Sequence, residues 1–426
     1  MKILRSSERN FRYEFEKILK RKETLASPLE TEIAKILEDV RLRGDKALIS
    51  YTEKWDKHKI KDGKIAVTKV EIKKAYQQLK KEEITALKRA ADNITRFYEK
   101  QPINNFSLKE NGLELGLRFT PIEKVGIYVP GGKASYPSTV LMNAIPAKVA
   151  GVQYLAMVTP FVEGQVNPAV LVAADIAKVD HIYKVGGAHA IAALTYGTPS
   201  IPKVDKVVGP GNLYVTIAKK LVFGFIGIDM IAGPTEICVL AGEEADPKII
   251  AADLLSQAEH DENATCVLVT FNINFAHRVD GELRRQLRAT PRRTIAESAI
   301  KNRTFIIITK NVESAIGLIN EVAPEHLELV IKDAAKIAEK INNAGAIFLG
   351  HHAPVALGDY FAGPSHVLPT AGTAKFSSCL NVQDFLKATS IMGCDEKTFK
   401  RMAPDIIRLA EMESLIAHAD SIRARL

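Results

Sequence analysis

The chain is poor in cysteine and has no long apolar run. Its four cysteines are Cys238, Cys266, Cys379 and Cys394. None forms a Cys-x-x-Cys pair, which argues against a thiolate zinc site or a redox pair. Cys238 and Cys266 stand in apolar, strand-like runs and read as small core residues. No stretch approaches the roughly 20 apolar residues that span a membrane. The opening Met1-Lys2-Ile3-Leu4-Arg5-Ser6-Ser7-Glu8-Arg9 lacks the apolar centre of a signal peptide. A cytoplasmic protein with no membrane partner is therefore expected. No Gly-x-Gly-x-x-Gly fingerprint follows any strand-like run. Gly209-Pro210-Gly211 comes nearest, but its proline and spacing depart from the pattern. No aromatic-interleaved basic motif accompanies the net charge of +8. Much of that charge lies in stretches such as Lys73 to Lys81, beside Glu, and reads as solvated helix faces rather than a nucleic-acid surface.

The 426 residues, 46% hydrophobic and 25% charged, suit a soluble protein of two or three domains. Residues 1–108 read as a helical segment packing on the second of two α/β units. Ser27-Pro28-Leu29-Glu30 reads as a helix start, with Ile33, Ile36, Leu37 and Val40 at helical spacing and Gly44 as a stop. From 109 the pattern changes. Leu113 to Phe119 alternates like a half-buried strand, and Val125 to Val129 is an apolar strand running into Pro130-Gly131-Gly132. Strands at 154–158, 181–185, 206–208 and 236–240 then alternate with helices at 137–149, 167–178, 187–196 and 212–223. The pattern resumes at Asp246-Pro247 with a helix over 247–260. Strands near 264–270, 304–309, 326–331 and 346–349 follow, with helices at 275–288, 312–321 and 333–342. This is the βαβ signature of parallel sheets. The expected fold is α/β: two related, Rossmann-like domains without the glycine fingerprint, over 109–235 and 236–375, and a helical extension over 376–426.

The chemistry centres on Ala323-Pro324-Glu325-His326-Leu327-Glu328. A carboxylate and an imidazole stand together at a strand entrance. There the usual alternation of side chains breaks, so both can reach one cleft. Such a pair offers two groups of different resting pKa for acid–base work. Gln257 and His260, at i and i+3 near a helix end, share a face and can bind a divalent metal. Asp359 lies among glycines and reads as a carboxylate presented on a tight loop. His418 lies on a terminal helix, and His351-His352 reads as surface loop.

Taken together, these stretches resemble histidinol dehydrogenases over nearly the whole chain. The resemblance is carried by Val125 to Gly132, Ser138 to Met142, Gly186-Gly187-Ala188, Gly209 to Asn212 and Ile228 to Glu236. It continues through Gln257 to His260, Pro324 to Leu327, Leu357 to Tyr360, His366 to Thr370 and the spacing of Glu413 to His418. It implies NAD-dependent, four-electron oxidation of L-histidinol to L-histidine through histidinaldehyde, in a domain-intertwined homodimer with one zinc per subunit. By the same resemblance Gln257, His260, Asp359 and His418 are zinc ligands, with His418 reaching the partner subunit's site. His326 is the base, Glu325 activates water, and zinc holds the substrate. The substrate would touch Ser138, Thr235, Gln257, His260, His326, Asp359, His366, Glu413 and His418. Tyr128, His189 and Asn212 match cofactor contacts, although His189 stands where the family usually has Gln. Ser365 and Cys379 also replace more usual residues. The alternative implied is a related zinc- and NAD-dependent alcohol dehydrogenase acting on another polar alcohol. A polyanion-binding protein is the reading of a different class.

Overall fold

The computed structural model describes residues 1–20, 29–60, 64–131 and 136–426. The expected helix start at Ser27-Pro28 and the second glycine of Gly131-Gly132 lie outside the described residues. Two units divide the chain: Met1–Lys100 with Glu123–Asp384, and Gln101–Ile122 with Phe385–Leu426. In chain order come β1 (Lys2–Arg5), α1 (Phe11–Leu19), α2 (Leu29–Arg43), α3 (Asp45–Asp56), α4 (Lys69–Gln78), α5 (Lys81–Tyr98), β2 (Phe106–Glu110) and β3 (Leu113–Pro121). Next are β4 (Lys124–Tyr128), α6 (Pro137–Ala150), β5 (Tyr154–Val158), α7 (Pro168–Ile176), β6 (His181–Tyr183), α8 (Gly187–Tyr196), β7 (Lys206–Val208), α9 (Leu213–Val222) and β8 (Gly227–Ile228). A second run follows: β9 (Glu236–Ala241), α10 (Pro247–Ala258), β10 (Thr265–Thr270), α11 (Ile273–Leu287), α12 (Arg293–Arg303), β11 (Thr304–Ile308), α13 (Val312–Val322), β12 (His326–Val330), α14 (Ala334–Ala338), β13 (Ala346–Leu349) and α15 (Val355–Tyr360). The chain closes with β14 (Leu386–Cys394), α16 (Glu396–Met412) and α17 (Ile416–Arg423).

The first unit holds two sheets, ordered β6-β5-β4-β7-β8 and β1-β11-β10-β9-β12-β13. Every neighbouring pair in both is parallel. Setting β1 aside, the two share one connectivity. The first strand is central, the next two step to one side, and the last two step to the other. Parallel strands need helices on both faces, so they read as continuous apolar runs. That is why Glu236–Ala241 and Thr265–Thr270 are buried at every position. Cys238 and Cys266 are buried on β9 and β10, as the apolar runs predict.

Four differences from the sequence expectation have clear causes. First, Lys2–Arg5 is a strand, because its backbone extends the second sheet alongside β11. Second, the N-terminal segment does not pack on one α/β half. Leu4, Phe11, Phe15 and Ile18 join the core of the second sheet. Ile33, Ile36, Leu37, Val40, Ala47 and Leu48 join that of the first, while α4 packs on α7 and α5 on α6. Third, residues 386–394 are a strand, paired antiparallel with β3, which also pairs with β2. Residues 109–122 thus belong to the second unit with the tail, not to the first parallel sheet. Fourth, Arg293–Arg303 forms an unforeseen helix, its apolar side given by Ala296, Ala299 and Ile300.

The second unit leaves much apolar surface open. On α16 only Thr398 and Ala403 are buried. Leu409, Met412, Leu415, Ile416, Ile391 and Met392 are exposed.

Candidate active site

The site begins at a strained turn. Ala323 ends α13 in the left-handed conformation, φ 48 and ψ 63, which costs a residue with a Cβ about 1–2 kcal/mol. Its N–H is donated to the Ile319 carbonyl. Pro324 follows, and His326 opens β12, which lies between β9 and the edge strand β13 of the second sheet. The turn brings the two side chains together: Glu325 Oε2 lies 3.5 Å from His326 Nδ1. Both residues are buried, 7% and 3% exposed.

Their hydrogen bonds divide their roles. Glu325 Oε2 accepts from Thr235 Oγ1 at 2.7 Å and from the Glu236 N–H at 2.8 Å. Thr235 Oγ1 in turn accepts from the Gln257 amide nitrogen, which leaves the Gln257 carbonyl oxygen uncommitted to that chain. His326 Nδ1 donates to the Glu236 carbonyl at 2.9 Å. That bond fixes the tautomer, so that whenever the ring is neutral the lone pair stands on Nε2. Nε2 is buried without a hydrogen-bond partner among the described residues. It faces Asp359 Oδ1 at 3.7 Å. Burial pushes the Glu325 carboxyl up to about 7, against the pull of His326, Thr235 and the Glu236 N–H. Burial alone would lower His326, but the charges of Glu325 and Asp359 outweigh it and raise the imidazole to about 9.

Asp359 is not on a loop. It lies in α15, a short helix that Pro354 precedes, because the apolar side of Val355 is buried against the second sheet's core. Burial raises its carboxyl, yet His326, His366 and His260 together hold it below the usual range. The Asp359 carbonyl accepts from His366 Nδ1 at 2.9 Å, and His366 Nε2 is 3.1 Å from Thr139 Oγ1. Thr139 follows Ser138 in the first turn of α6, where both are buried. His366 thus ties α6 of the first sheet to α15 of the second. Gln257 is buried in the last turn of α10, and His260 stands just beyond its C-cap.

A cleft of about 550 Å³ opens beside these groups. It is lined by Gly211, Asn212, Pro234, Thr235, Glu236 and His260, among others. The cleft therefore joins the C-terminal end of β7 in the first sheet to the N-terminal end of β9 in the second. Its volume falls in the range of small-molecule pockets. In the first sheet strand order reverses between β4 and β7, the place where open parallel sheets bind ligands. Tyr128 ends β4, and its hydroxyl accepts the Gly187 N–H at 3.1 Å. Asn212 caps α9 through Val215. Gly209 is required between them: at φ +108 a Cβ would stand 2.3 Å from the Tyr128 carbonyl oxygen.

His189 sits elsewhere in its surroundings. It is 1% exposed. Its Nε2 contacts Thr52 Oγ1 at 3.2 Å, and its ring packs against Tyr51 and Trp55. Burial drives its pKa down to about 3. A core packing role is what this environment gives it, in place of an open cofactor contact. Glu413 and His418 belong to the second unit, and both are exposed there.

Sequence reasoning missed Thr139, Glu236 and the buried pair Lys219–Asp229. Asp229 accepts the N–H groups of Gly209 and Met230, both at 2.7 Å, and pairs with Lys219, which also donates to the Gly209 carbonyl at 2.9 Å. The pair holds the Gly209–Asn212 turn. Losing one partner of such a buried pair costs on the order of 3–5 kcal/mol. A lysine in the apolar run of α9, ten residues before an aspartate, was the available signal.

The profile of the histidinol dehydrogenase family matches residues 19–426. The chain belongs to the histidinol dehydrogenase family. A histidinol dehydrogenase of Geobacter metallireducens is 50% identical over all of this chain and 98% of its own length. One of Clostridium acetobutylicum is 51% identical, covering 92% of this chain and 90% of the relative. The crystal structure of histidinol dehydrogenase from Elizabethkingia anophelis superposes with a TM-score of 0.94 at 37% identity, over 100% of this chain and 98% of that one.

Proposed function

We propose that this protein oxidises L-histidinol to L-histidine in two NAD-dependent steps, the last reaction of histidine biosynthesis, in the cytoplasm. The reading is carried by one observation above all. His326 has its Nδ1 proton committed to a backbone carbonyl and a buried Nε2 without a hydrogen-bond partner among the described residues, facing Asp359. That is the arrangement of a proton acceptor. In each oxidation His326 Nε2 takes the hydroxyl proton of the alcohol or of the aldehyde hydrate. Between them Glu325, whose carboxyl burial poises near neutrality, takes a proton from the water that adds to the aldehyde. Thr235 and the Glu236 N–H hold that carboxyl in place. Holding the aldehyde in the site between the two steps protects this reactive intermediate.

A zinc site fits the donors here in kind. Gln257 offers its carbonyl oxygen, His260 an imidazole and Asp359 a carboxylate, the mixed set a divalent ion accepts. Among the described residues no three His, Cys, Asp or Glu side chains gather to hold a metal. The fourth donor in this reading is His418 of the partner subunit. The open apolar surface on the second unit supports a homodimer, since patches of that kind mark interfaces. When bound, zinc supplies the charge that orients the substrate and offsets Asp359, and NAD supplies the hydride acceptor. Ser138, Thr235, His366 and Glu413 are the further substrate contacts proposed, and Tyr128 and Asn212 line the cofactor side.

The test is stoichiometry. Two NADH per histidinol consumed are expected, with activity lost to a chelator and restored by zinc. One NADH per histidinol, with free aldehyde accumulating, would overturn the role of Glu325. No NADH from histidinol, with turnover of another polar alcohol, would overturn the substrate.

A further inference from the structure

The three elements that carry Gln257, His326 and Asp359 meet again one layer away. Asp253 lies one helical turn before Gln257 on α10. Val355 opens α15 one turn before Asp359. Glu328 follows His326 by two residues on β12, on the same face of the strand. Four helical residues rise about 6 Å and two strand residues about 6.6 Å. The spacings match, so the second layer repeats the first.

Glu328 is 1% exposed, in a strand that is buried throughout. Its Oε1 accepts the Val355 N–H at 2.8 Å, one of the donors a helix start leaves without an internal partner. Its Oε2 is buried with no donor among the described residues. The Asp253 carboxyl faces it. Two carboxylates only accept, so a proton between them is what satisfies both. Burial and the facing Asp253 charge both raise Glu328, and burial raises Asp253. His326, along the same strand, is the other charged neighbour and acts in the opposite sense. A leucine would fill position 328 without desolvating a carboxyl. What the carboxyl adds is direction: it fixes one helix start and one helix flank against the strand.

We propose that Glu328 is a positioning residue: bonded to Val355 and facing Asp253, it sets α10 and α15 against β12 and thereby the spacing of Gln257, His260 and Asp359 as a metal site. This rests on the zinc site proposed above.

The experiment measures zinc affinity by competition with a chromophoric chelator on the full-length protein, with thermal unfolding in parallel. Glu328→Leu removes both bonds. Its zinc dissociation constant is expected to rise at least about tenfold, as for the outer partners of metal ligands. Glu328→Gln keeps an acceptor for Val355 and a donor for Asp253, and is expected to bind zinc within about twofold of the parent. A Tm that stays level or rises in Glu328→Leu while zinc weakens separates positioning from bulk stability. If Glu328→Leu does not fold, Asp253→Ala on the half-buried helix flank is expected to show the same loss, and Asp253→Asn to restore binding. Unchanged zinc affinity in folded Glu328→Leu or Asp253→Ala overturns the proposal, as does failure of both to fold. A parent protein that binds no zinc overturns the metal site itself, and this inference with it.

Discussion

In the first sheet, β4 and β7 part at their C-terminal ends, and the Gly209–Asn212 turn and Tyr128 stand at that crevice. In the second sheet, β9 and β12 part in the same way, yet the polar groups stand at the other end, where those strands begin. The same connectivity has been put to opposite uses. Backbone turns and helix starts dominate the first location. Buried side chains with perturbed protonation dominate the second. The cleft lies where the C-terminal end of one sheet meets the N-terminal end of the other, so a ligand at either end borders the same space.

Variants at the two ends should therefore fail differently. The largest effect is expected at the second sheet. His326→Gln should lower kcat for both oxidations by about 10²–10⁴, with the NAD KM unchanged. A fall of less than tenfold would remove His326 as the base. Glu325→Gln should come next. The first NADH should form in a single turnover while the second is delayed by about 10²-fold or more, and an aldehyde trap should capture the intermediate. Equal slowing of both steps would contradict the division of labour.

Asn212→Ala, at the first sheet, should act the other way. The NAD KM should rise about two- to tenfold, the value of one hydrogen bond, with kcat at saturation kept. The lost cap on α9 should cost about 1 kcal/mol of stability. A fall in kcat with NAD KM unchanged would break the contrast between the two ends.

The smallest effect is expected for His189→Gln. Its imidazole is held neutral, with a pKa of about 3 in the folded protein against 6.5 in the unfolded chain. The unfolded chain thus binds more protons below pH 6.5, and stability is lost as pH falls from there toward 3. The Gln variant should flatten that fall in Tm between pH 6.5 and 4. An NAD KM that also stays unchanged would assign position 189 to the core alone.

Much of the alternation of strands and helices was legible because parallel strands and amphipathic helices leave local signatures. Gly187–Tyr196 and Ala346–Leu349 came out at the expected limits. Lys2–Arg5 and Leu386–Cys394 did not, because each becomes a strand only through a distant partner. Asp359 read as a loop residue because α15 is short, and its Val355 side is held by burial rather than by helix propensity. Glu328, between two leucines, has the alternation of a solvent-facing strand, but helices cover both faces of this sheet, and the carboxyl is buried.

By itself, then, the sequence determined the α/β class, most of the alternating strands and helices of the two parallel sheets and the pairing of Glu325 with His326, all set by neighbours in the chain. It also determined family membership, since its motifs are spread over almost the full length. Tertiary structure alone decided that His326 keeps Nε2 bare, that His189 is enclosed by Trp55 and Thr52, and that Asp253, Glu328 and Val355 form a layer beside the site. Protonation and tautomer depend on what surrounds a group in space, and those surroundings come from residues as far as 137 positions away, as with Thr52 and His189.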